Sequence, residues 1–160
     1  MTGILLGRLL VKMINTNSLN ETRKQIQKLK KENPDVEIVV RAQGDEYNRK
    51  ILENPDVDVL LGVELYNRKD FMKQRDSGLN EIMCKLAKKN NIKIGIDVGE
   101  IARLGKIDKA RVLARVMQNI ELCKRTSADM VVYPVGKFGK QDVMSFILSL
   151  GGSTGQGRLN

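Results

Sequence analysis

The chain has 160 residues, of which 41% are hydrophobic and 29% charged, and it carries a net charge of +9 without any histidine. This length suits one domain with a buried core. The lack of histidine excludes most zinc sites, histidine general bases and nucleophiles activated by histidine, but leaves carboxylate magnesium sites open. The excess positive charge favours a polyanionic partner, most often a nucleic acid. Aromatic residues make up only 4%, which argues against a base-stacking platform.

The N-terminal third predicts strands that alternate with helices. Residues 5–14 are apolar enough for a first strand, and the charges of Arg8 and Lys12 argue against a signal peptide. No apolar run reaches the roughly 18 residues that cross a membrane. The motif Asn-Pro-Asp-Val at 33–36 and 54–57 ends a helix and opens a strand, because proline disfavours helical geometry in the preceding residue. These signals predict strands at 36–42 and 57–63, a short helix at 46–53, and an earlier helix with Leu19, Thr22, Ile26 and Leu29 on one face.

The stretch 68–104 combines a basic loop, a helix and a strand. The loop comes first, and its cations are Arg68, Lys69, Lys73 and Arg75. Asp76 or Ser77 is predicted to cap the helix, because short side-chain oxygens accept hydrogen bonds from a first helical turn. The predicted apolar stripe of this helix comprises Leu79, Ile82, Met83 and Leu86. Residues 92–98 alternate as in a strand, with Asp97 near its end, and a loop is predicted at 99–106.

The C-terminal part predicts a long helix, a strand, a glycine-bearing loop and a final helix. These lie at 107–126, 130–135, 136–140 and 143–150. The long helix is expected to bury Ala110, Leu113, Met117 and Ile120, and to expose Arg111, Arg115, Lys124 and Arg125. Residues 151–160 lack core-forming side chains and predict a flexible tail. Cys84 and Cys123 fall inside predicted helices, which is typical of reduced, buried thiols in a cytosolic protein.

Alternation of helix and strand along the whole chain predicts an α/β fold with a parallel sheet and right-handed crossovers. A complete eight-stranded (β/α) TIM barrel typically needs about 250 residues. We therefore expect a TIM-barrel-like but shortened or incomplete barrel, formed by a single domain at 1–150.

The segment RDSGLN at 75–80, continued by KLAKKNNIKIGID at 85–97, resembles the signature of the barrel-type protein subunit of archaeal ribonuclease P. The family includes the eukaryotic thirty-kilodalton subunit of the same enzyme, and the resemblance covers 57–152. It implies a barrel of the PHP-related type, akin to metal-dependent phosphoesterases but without their metal site or any other cofactor. It also implies a non-catalytic, cytoplasmic protein that binds and helps fold the catalytic RNA, which removes the 5′ leader from precursor transfer RNA. The expected partners are this RNA and a small α/β protein subunit, with precursor transfer RNA contacted indirectly and no membrane.

On the matching segment, the resemblance points to arginine and lysine side chains that contact RNA phosphates. The first candidates are Arg68, Lys69 and Arg75, and the second group is Arg103, Arg111 and Arg115. No residue is expected to be catalytic. Asp97 is expected to be a buried structural carboxylate paired with a lysine or arginine, because metal-binding histidines are missing. Gly136 and Gly139 are weaker candidates for a phosphate-binding loop.

Two other function classes fit the same residues. One is a small barrel enzyme that acts on a phosphorylated metabolite, with Asp97, Lys137 and Lys140 at its mouth. The other is a generic RNA-binding or scaffold module outside ribonuclease P. Tight binding of a small phosphate compound would distinguish the first, and binding that ignores RNA identity would distinguish the second.

Overall fold

The computed structural model describes residues 3–6 and 9–157, which form one six-stranded sheet with helices. The strands are β1 (Gly3–Leu6), β2 (Leu9–Ile14), β3 (Glu37–Arg41), β4 (Val59–Leu61), β5 (Lys93–Asp97) and β6 (Met130–Tyr133). They lie across the sheet in chain order, with β1 antiparallel to β2 and all other neighbours parallel. This open sheet agrees with the predicted shortened or incomplete (β/α) barrel.

Helices connect the parallel strands, which confirms the predicted alternation. They are α1 (Leu19–Glu32), α2 (Asp45–Leu52), α3 (Glu81–Lys89), α4 (Val98–Arg103), α5 (Lys106–Thr126), α6 (Lys140–Ser149) and α7 (Thr154–Gly157), and a short 3-10 turn, Val63–Leu65, follows β4. Within the described part of the chain, no helix is both long and apolar enough to cross a membrane.

The sheet has one apolar cluster on each face, because successive side chains of a strand point to opposite sides. Ile38 and Val40 of β3 pack into the larger cluster, together with buried side chains of the helices. Val39, between them, belongs to a smaller cluster on the other face, with Leu61 of β4 and Tyr133 of β6. The helices therefore cover one face, and the parallel strands direct their carboxyl ends to one edge of the sheet.

Two predicted boundaries are wrong. The apolar run 5–14 is not one strand but the antiparallel pair β1 and β2, and residues 7 and 8 between them lie outside the described residues. Apolar character alone does not reveal where a chain reverses. The predicted loop 99–106 contains most of α4, which begins where Asp97 accepts a hydrogen bond from the backbone N–H of Glu100 at 3.0 Å.

The predicted buried faces are correct for α1 and only partly correct for α3 and α5. In α3, Met83 is buried, but Ile82 is 70% exposed. In α5, Ile120 is buried, whereas Met117 is 48% exposed and Arg115, which we expected outside, is only 4% exposed. The other buried side chains of α5 are Val112, Val116, Asn119 and Cys123. Polar Arg115 and Asn119 interrupt this stripe in the sequence, so a search for apolar periodicity selects a neighbouring face.

The segment predicted as a flexible tail begins with a packed turn of helix. Gln156 of α7 is 9% exposed, and its Nε2 donates a hydrogen bond to the carbonyl of Ile120 at 2.9 Å. Gly157 lies so close to Met144 that a Cβ would be 2.8 Å from its sulfur. Because these contacts are made by an amide side chain and a glycine, the hydropathy of the sequence does not show that this segment is packed. Residues 158–160 lie outside the described residues.

Cys84 of α3 and Cys123 of α5 are both buried free thiols, as predicted, but they are not isolated from each other. Their thiols share a hydrogen bond, which together with burial raises the pKa of the Cys123 thiol. The pair lies where α3 and α5 pack together.

Candidate nucleic-acid interface

The basic loop predicted after β4, here called loop 66–76, is held against α5 by one buried arginine. The Arg115 side chain is 5% exposed, and its Nη2 donates to the carbonyl of Arg68 at 2.9 Å and to Asp70 Oδ1 at 3.4 Å. Its Nη1 lies 3.5 Å from the carbonyl of Tyr66. Arg115 thus binds the loop backbone and one loop carboxylate, and its burial makes it an anchor for this loop.

A second arginine, Arg68, is buried inside the loop rather than exposed as we expected. Its side chain is 9% exposed, and Nη1 lies 2.8 Å from Asp45 Oδ1 and 3.0 Å from Asp76 Oδ1. The guanidinium also lies over the Tyr66 ring, 5.5 Å from its centroid. Two carboxylates and an aromatic face therefore surround this positive charge in the folded chain.

The loop ends in a tight turn that leads into α3. The predicted helix cap at Asp76 or Ser77 is wrong, because Asn80 Oδ1 accepts the hydrogen bond from the Met83 backbone N–H at 2.9 Å. Asp76 Oδ1 instead accepts from the Gly78 N–H at 3.0 Å. Gly78 has φ +84°, and a Cβ there would meet a Val63 methyl at 2.6 Å and Arg68 Nη2 at 3.0 Å. The turn therefore requires glycine for both its backbone conformation and its packing.

The remaining cations of loop 66–76 point to solvent. Lys69, Lys73 and Arg75 are exposed, and none of them forms an ion pair or side-chain hydrogen bond with the rest of the described chain. Asp70, the nearby carboxylate, is already held by the backbone N–H of Asp76 at 2.9 Å. This hydrogen bond, followed by the charges of Arg115 and Arg75, lowers the pKa of Asp70. Two of our first three candidates, Lys69 and Arg75, thus offer unpaired charge, and Lys73 adds a third.

The members of the second group of candidates have different environments. Arg103 of α4 and Arg111 of α5 are exposed, and each pairs with a carboxylate three residues earlier, Glu100 at 2.8 Å and Asp108 at 3.1 Å. Such exposed pairs contribute little to stability, so both arginines can exchange their partner for a phosphate. Arg115 differs from them because its charge is used inside the protein.

A charged cluster lies at the carboxyl ends of β3 and β5. Asp97 Oδ2 accepts from Arg41 Nη1 at 2.5 Å, and its side chain is 13% exposed. The backbone N–H of Asp97 donates to Glu64 Oε1 at 3.1 Å. Glu64 is buried, and this burial raises the pKa of its carboxyl from 4.5 to about 7, with a smaller contribution from the charge of Asp97. The expected pairing of Asp97 with a lysine or arginine is confirmed, since Arg41 is its partner, but the carboxylate is partly rather than fully buried.

Next to this cluster lies a cavity of about 570 Å³ at the same edge of the sheet. Its lining combines the apolar side chains of Leu61, Tyr133 and Phe138 with the cations Arg103 and Lys137. The glycine-bearing loop 136–140 borders it. There the Gly139 N–H donates to Asp142 Oδ2 at 3.2 Å, so a carboxylate of the same chain already uses one N–H of the predicted phosphate loop.

Sequence reasoning missed three features of this region. The positioning role of Arg115 was detectable, because positions 112, 116 and 119 to 120 share its helical face. Glu64 gave no signal, since a glutamate after a strand is ordinarily exposed. The exposed apolar tip of the loop, Phe71 and Met72, lay within a stretch that we assigned only by its charge.

No protein-family model matches the sequence. The chain is similar to ribonuclease P protein component 3 of Methanococcus maripaludis strain C6, with 31% identity over 120 residues, covering 74% of this chain and 47% of that relative. The protein of the same name from Methanococcus vannielii is 32% identical over 120 residues and is covered to 48%. The one from Methanosarcina acetivorans is 30% identical over 95 residues, covering 59% of this chain and 36% of that relative. The chain thus spans about half the length of the curated Methanococcus relatives, and less of the Methanosarcina one.

The fold also has a counterpart among solved structures. A chain of a cryo-EM structure described as archaeal ribonuclease P with mature tRNA superposes with a TM-score of 0.70 at 21% sequence identity. The match covers 89% of this chain and 60% of that chain. The two proteins therefore share a fold over most of the present sequence.

Proposed function

Since the matched part of this chain belongs to the family of ribonuclease P protein component 3, we propose that the protein is a non-catalytic subunit that binds and helps fold the ribonuclease P RNA. The 5′ leader of precursor transfer RNA is then removed by the RNA, with the protein contacting that substrate only indirectly. The observation that carries the proposal is the similarity to the named relatives, and the basic loop lies inside the resembling segment. A small α/β protein subunit is the proposed protein partner.

The chemistry of loop 66–76 supports RNA binding. Folding a catalytic RNA brings phosphates together, and exposed cations on a rigid loop offset their repulsion and release counterions. Lys69, Lys73 and Arg75 make the direct phosphate contacts in this proposal, and Arg103 and Arg111 make further ones. Arginine can grip a phosphate with two parallel hydrogen bonds. Arg68 and Arg115, which we first assigned to RNA, are assigned instead to positioning the loop.

The test compares the affinity of the protein for two RNAs. The purified protein is titrated with the ribonuclease P RNA of Methanococcus maripaludis and with an unrelated structured RNA of the same length, at several salt concentrations. We expect the ribonuclease P RNA to bind at least about tenfold more tightly, a difference of about 1.4 kcal/mol. Equal affinities at every salt concentration would indicate a generic RNA-binding module and overturn the proposal.

The cavity at the edge of the sheet favours one other candidate function, an enzyme that acts on a phosphorylated metabolite. A volume of about 570 Å³ and the cations Arg103 and Lys137 suit such a ligand. We test this candidate function by calorimetric titration of the parent protein and of Lys137→Ala with glycerol 3-phosphate. Binding that the substitution abolishes would favour the enzyme, and no binding in either protein would remove this candidate.

A further inference from the structure

Two adjacent apolar side chains project from the tip of loop 66–76. Phe71 is 70% exposed and Met72 is 101% exposed relative to an extended reference. Backbone hydrogen bonds from Phe71 N to Gln74 O at 2.9 Å and from Gln74 N to Phe71 O at 3.2 Å close the tip as a tight turn. Single exposed apolar side chains are common on protein surfaces. A pair held out on a closed turn instead offers a defined apolar contact to a partner.

The part of loop 66–76 below the tip is already held in place by hydrogen bonds and ion pairs. Arg115 binds the carbonyl of Arg68 and the carboxylate of Asp70, and Asp70 accepts the Asp76 N–H. Arg68 joins the loop to Asp45 of α2. A contact made by such a loop costs less conformational entropy than one made by a free loop.

A small cavity adjoins the Phe71 side chain. It measures about 250 Å³ and is lined by Phe71, Arg75, Asn80 and Gln118 among others. This is below the roughly 300–1,000 Å³ of typical small-molecule sites, so it suits a single ring system. Gln118 Oε1 is buried and accepts no hydrogen bond from the rest of the described chain. A buried acceptor of this kind is costly unless an N–H donor reaches it.

The charges around the tip indicate which partner supplies that ring system. Lys69, Lys73 and Arg75 flank the tip along the chain and are unpaired within the described residues. An apolar protein partner would leave three cations next to its contact surface without compensation. A single-stranded nucleic acid instead carries a phosphate on each side of every base, and its bases stack on aromatic side chains.

We propose that loop 66–76 captures one unpaired nucleobase of the RNA, which stacks on the Phe71 ring and donates an N–H to Gln118 Oε1. The flanking cations bind the phosphates on either side of that nucleotide. The inference rests on the proposed function and deepens it by naming a contact to a base. The low aromatic content argues against a platform for several bases, but one ring is enough for one base.

The chain contains no tryptophan, so a single one can report on this contact. Phe71→Trp places an indole at the tip, and Ile107→Trp places one at a control position on α5 that is 77% exposed. Each variant is titrated with the ribonuclease P RNA of Methanococcus maripaludis and with a fully paired RNA duplex. We expect fluorescence quenching only for Phe71→Trp with the ribonuclease P RNA. Equal responses of the two variants would overturn the proposal.

Affinity measurements distinguish stacking from simple apolar contact. Phe71→Ala and Phe71→Leu should both weaken binding by about 5- to 150-fold, the range of one base stacked on an aromatic ring, and Gln118→Leu should weaken it as well. The salt dependence should not change, because no charge is removed. If Phe71→Ala loses affinity and Phe71→Leu keeps it, the contact is simply apolar and the stacking proposal is overturned. Unchanged affinity in both variants would also overturn it, because Phe71 would then not contribute to binding. If the parent does not prefer ribonuclease P RNA, the proposed function itself fails.

Discussion

Arg111 and Arg115 lie one turn apart on α5 and have opposite environments. Arg111 is 53% exposed in its side chain and pairs only with Asp108, whereas the side chain of Arg115 is 5% exposed and binds loop 66–76. Removal of a buried charged donor leaves its acceptors unsatisfied, which typically costs about 1–3 kcal/mol. The same residue type therefore has a structural role at one position and a surface role at the other.

The first prediction concerns this pair. Arg115→Ala should lower the free energy of unfolding by about 1–3 kcal/mol, because Asp70 and the carbonyl of Arg68 lose their donor. Arg111→Ala should change it by less than about 0.5 kcal/mol, since its ion pair is exposed. Urea unfolding followed by circular dichroism measures both. Equal, small effects in the two variants would show that Arg115 does not anchor the loop.

Glu64 carries the second prediction. Its carboxyl has a pKa of about 7 in the folded protein and about 4.5 when exposed, because burial disfavours the charged form. The folded state therefore binds more protons than the unfolded state between these values, so this group's contribution to stability is complete below pH 4.5. That contribution decreases as the pH rises to about 7, by on the order of 3 kcal/mol in total.

Glu64→Gln removes this titration and retains the shape of the side chain. The stability of the parent, measured relative to that of the variant by urea unfolding, should therefore fall between pH 4.5 and about 7 and stay constant above it. Thermal unfolding over the same pH range provides an independent measurement. A constant difference between parent and variant would mean that the pKa of Glu64 is not raised.

At the scale of elements, the cations of loop 66–76 fall into two groups, one paired inside the protein and one exposed to solvent. Arg68 is used in internal ion pairs, and Lys69, Lys73 and Arg75 remain exposed on the backbone that Arg115 holds. The composition of the loop does not reveal this division. It depends on Asp70 and Asp76 within the loop and on Asp45 of α2 and Arg115 of α5, which reach the loop only in the folded protein.

The third prediction follows from that division. Replacing Lys69, Lys73 and Arg75 together by alanine should weaken binding of the ribonuclease P RNA. It should also flatten the slope of log affinity against log salt by about two to three, since each phosphate contact contributes about 0.7 to 0.9. Filter binding over a salt series measures the slope, and circular dichroism confirms folding.

The matched control replaces three exposed cations of α1, which are Arg23, Lys24 and Lys31. This variant has the same net charge as the loop variant but an intact loop. It should retain most of the parental slope. Identical slopes in both variants would mean that net charge, rather than the loop, determines RNA binding.

At the scale of the whole molecule, exposed apolar side chains mark a candidate protein-binding surface. Ile82 on α3 is 70% exposed and Met117 on α5 is 48% exposed, and these two helices pack against each other. Apolar side chains exposed on neighbouring helices favour association. We therefore expect the small α/β subunit proposed above to bind at these two helices.

The fourth prediction is an association measured by sedimentation velocity. The parent should form a complex with the small α/β ribonuclease P subunit, and Ile82→Lys with Met117→Lys should weaken it at least about tenfold, because each lysine places a charge in an apolar contact. Leu148→Lys, at a position on α6 that is 44% exposed, is the control and should bind as the parent does. A parent protein that ignores the small subunit would contradict this assignment.

Local signals in the sequence were sufficient for the parallel strands and for the helices α1, α2, α3, α5 and α6, but not for the reversal between β1 and β2 or for α4 and α7. The repeated Asn-Pro-Asp-Val motif ends two helices, and the apolar strands between helices predict the parallel sheet that the structure contains. The pairing of Asp97 with a lysine or arginine could also be predicted, because the chain lacks metal-binding histidines and a carboxylate at the end of a strand then needs a cationic partner. These features are determined by neighbouring residues in the sequence or by composition, so they could be predicted before the fold was known.

Only the tertiary structure decided which charges are available to a partner. Asp45 and Asp76 pair with Arg68, Asp70 pairs with Arg115, and no sequence pattern connects these five residues. Apolar periodicity also could not identify the buried face of α5, because two of its buried positions are the polar Arg115 and Asn119. Burial of a charge depends on partners that arrive from distant parts of the chain. The sequence therefore determined that the loop is basic, and the fold determined that Lys69, Lys73 and Arg75 are its exposed cations.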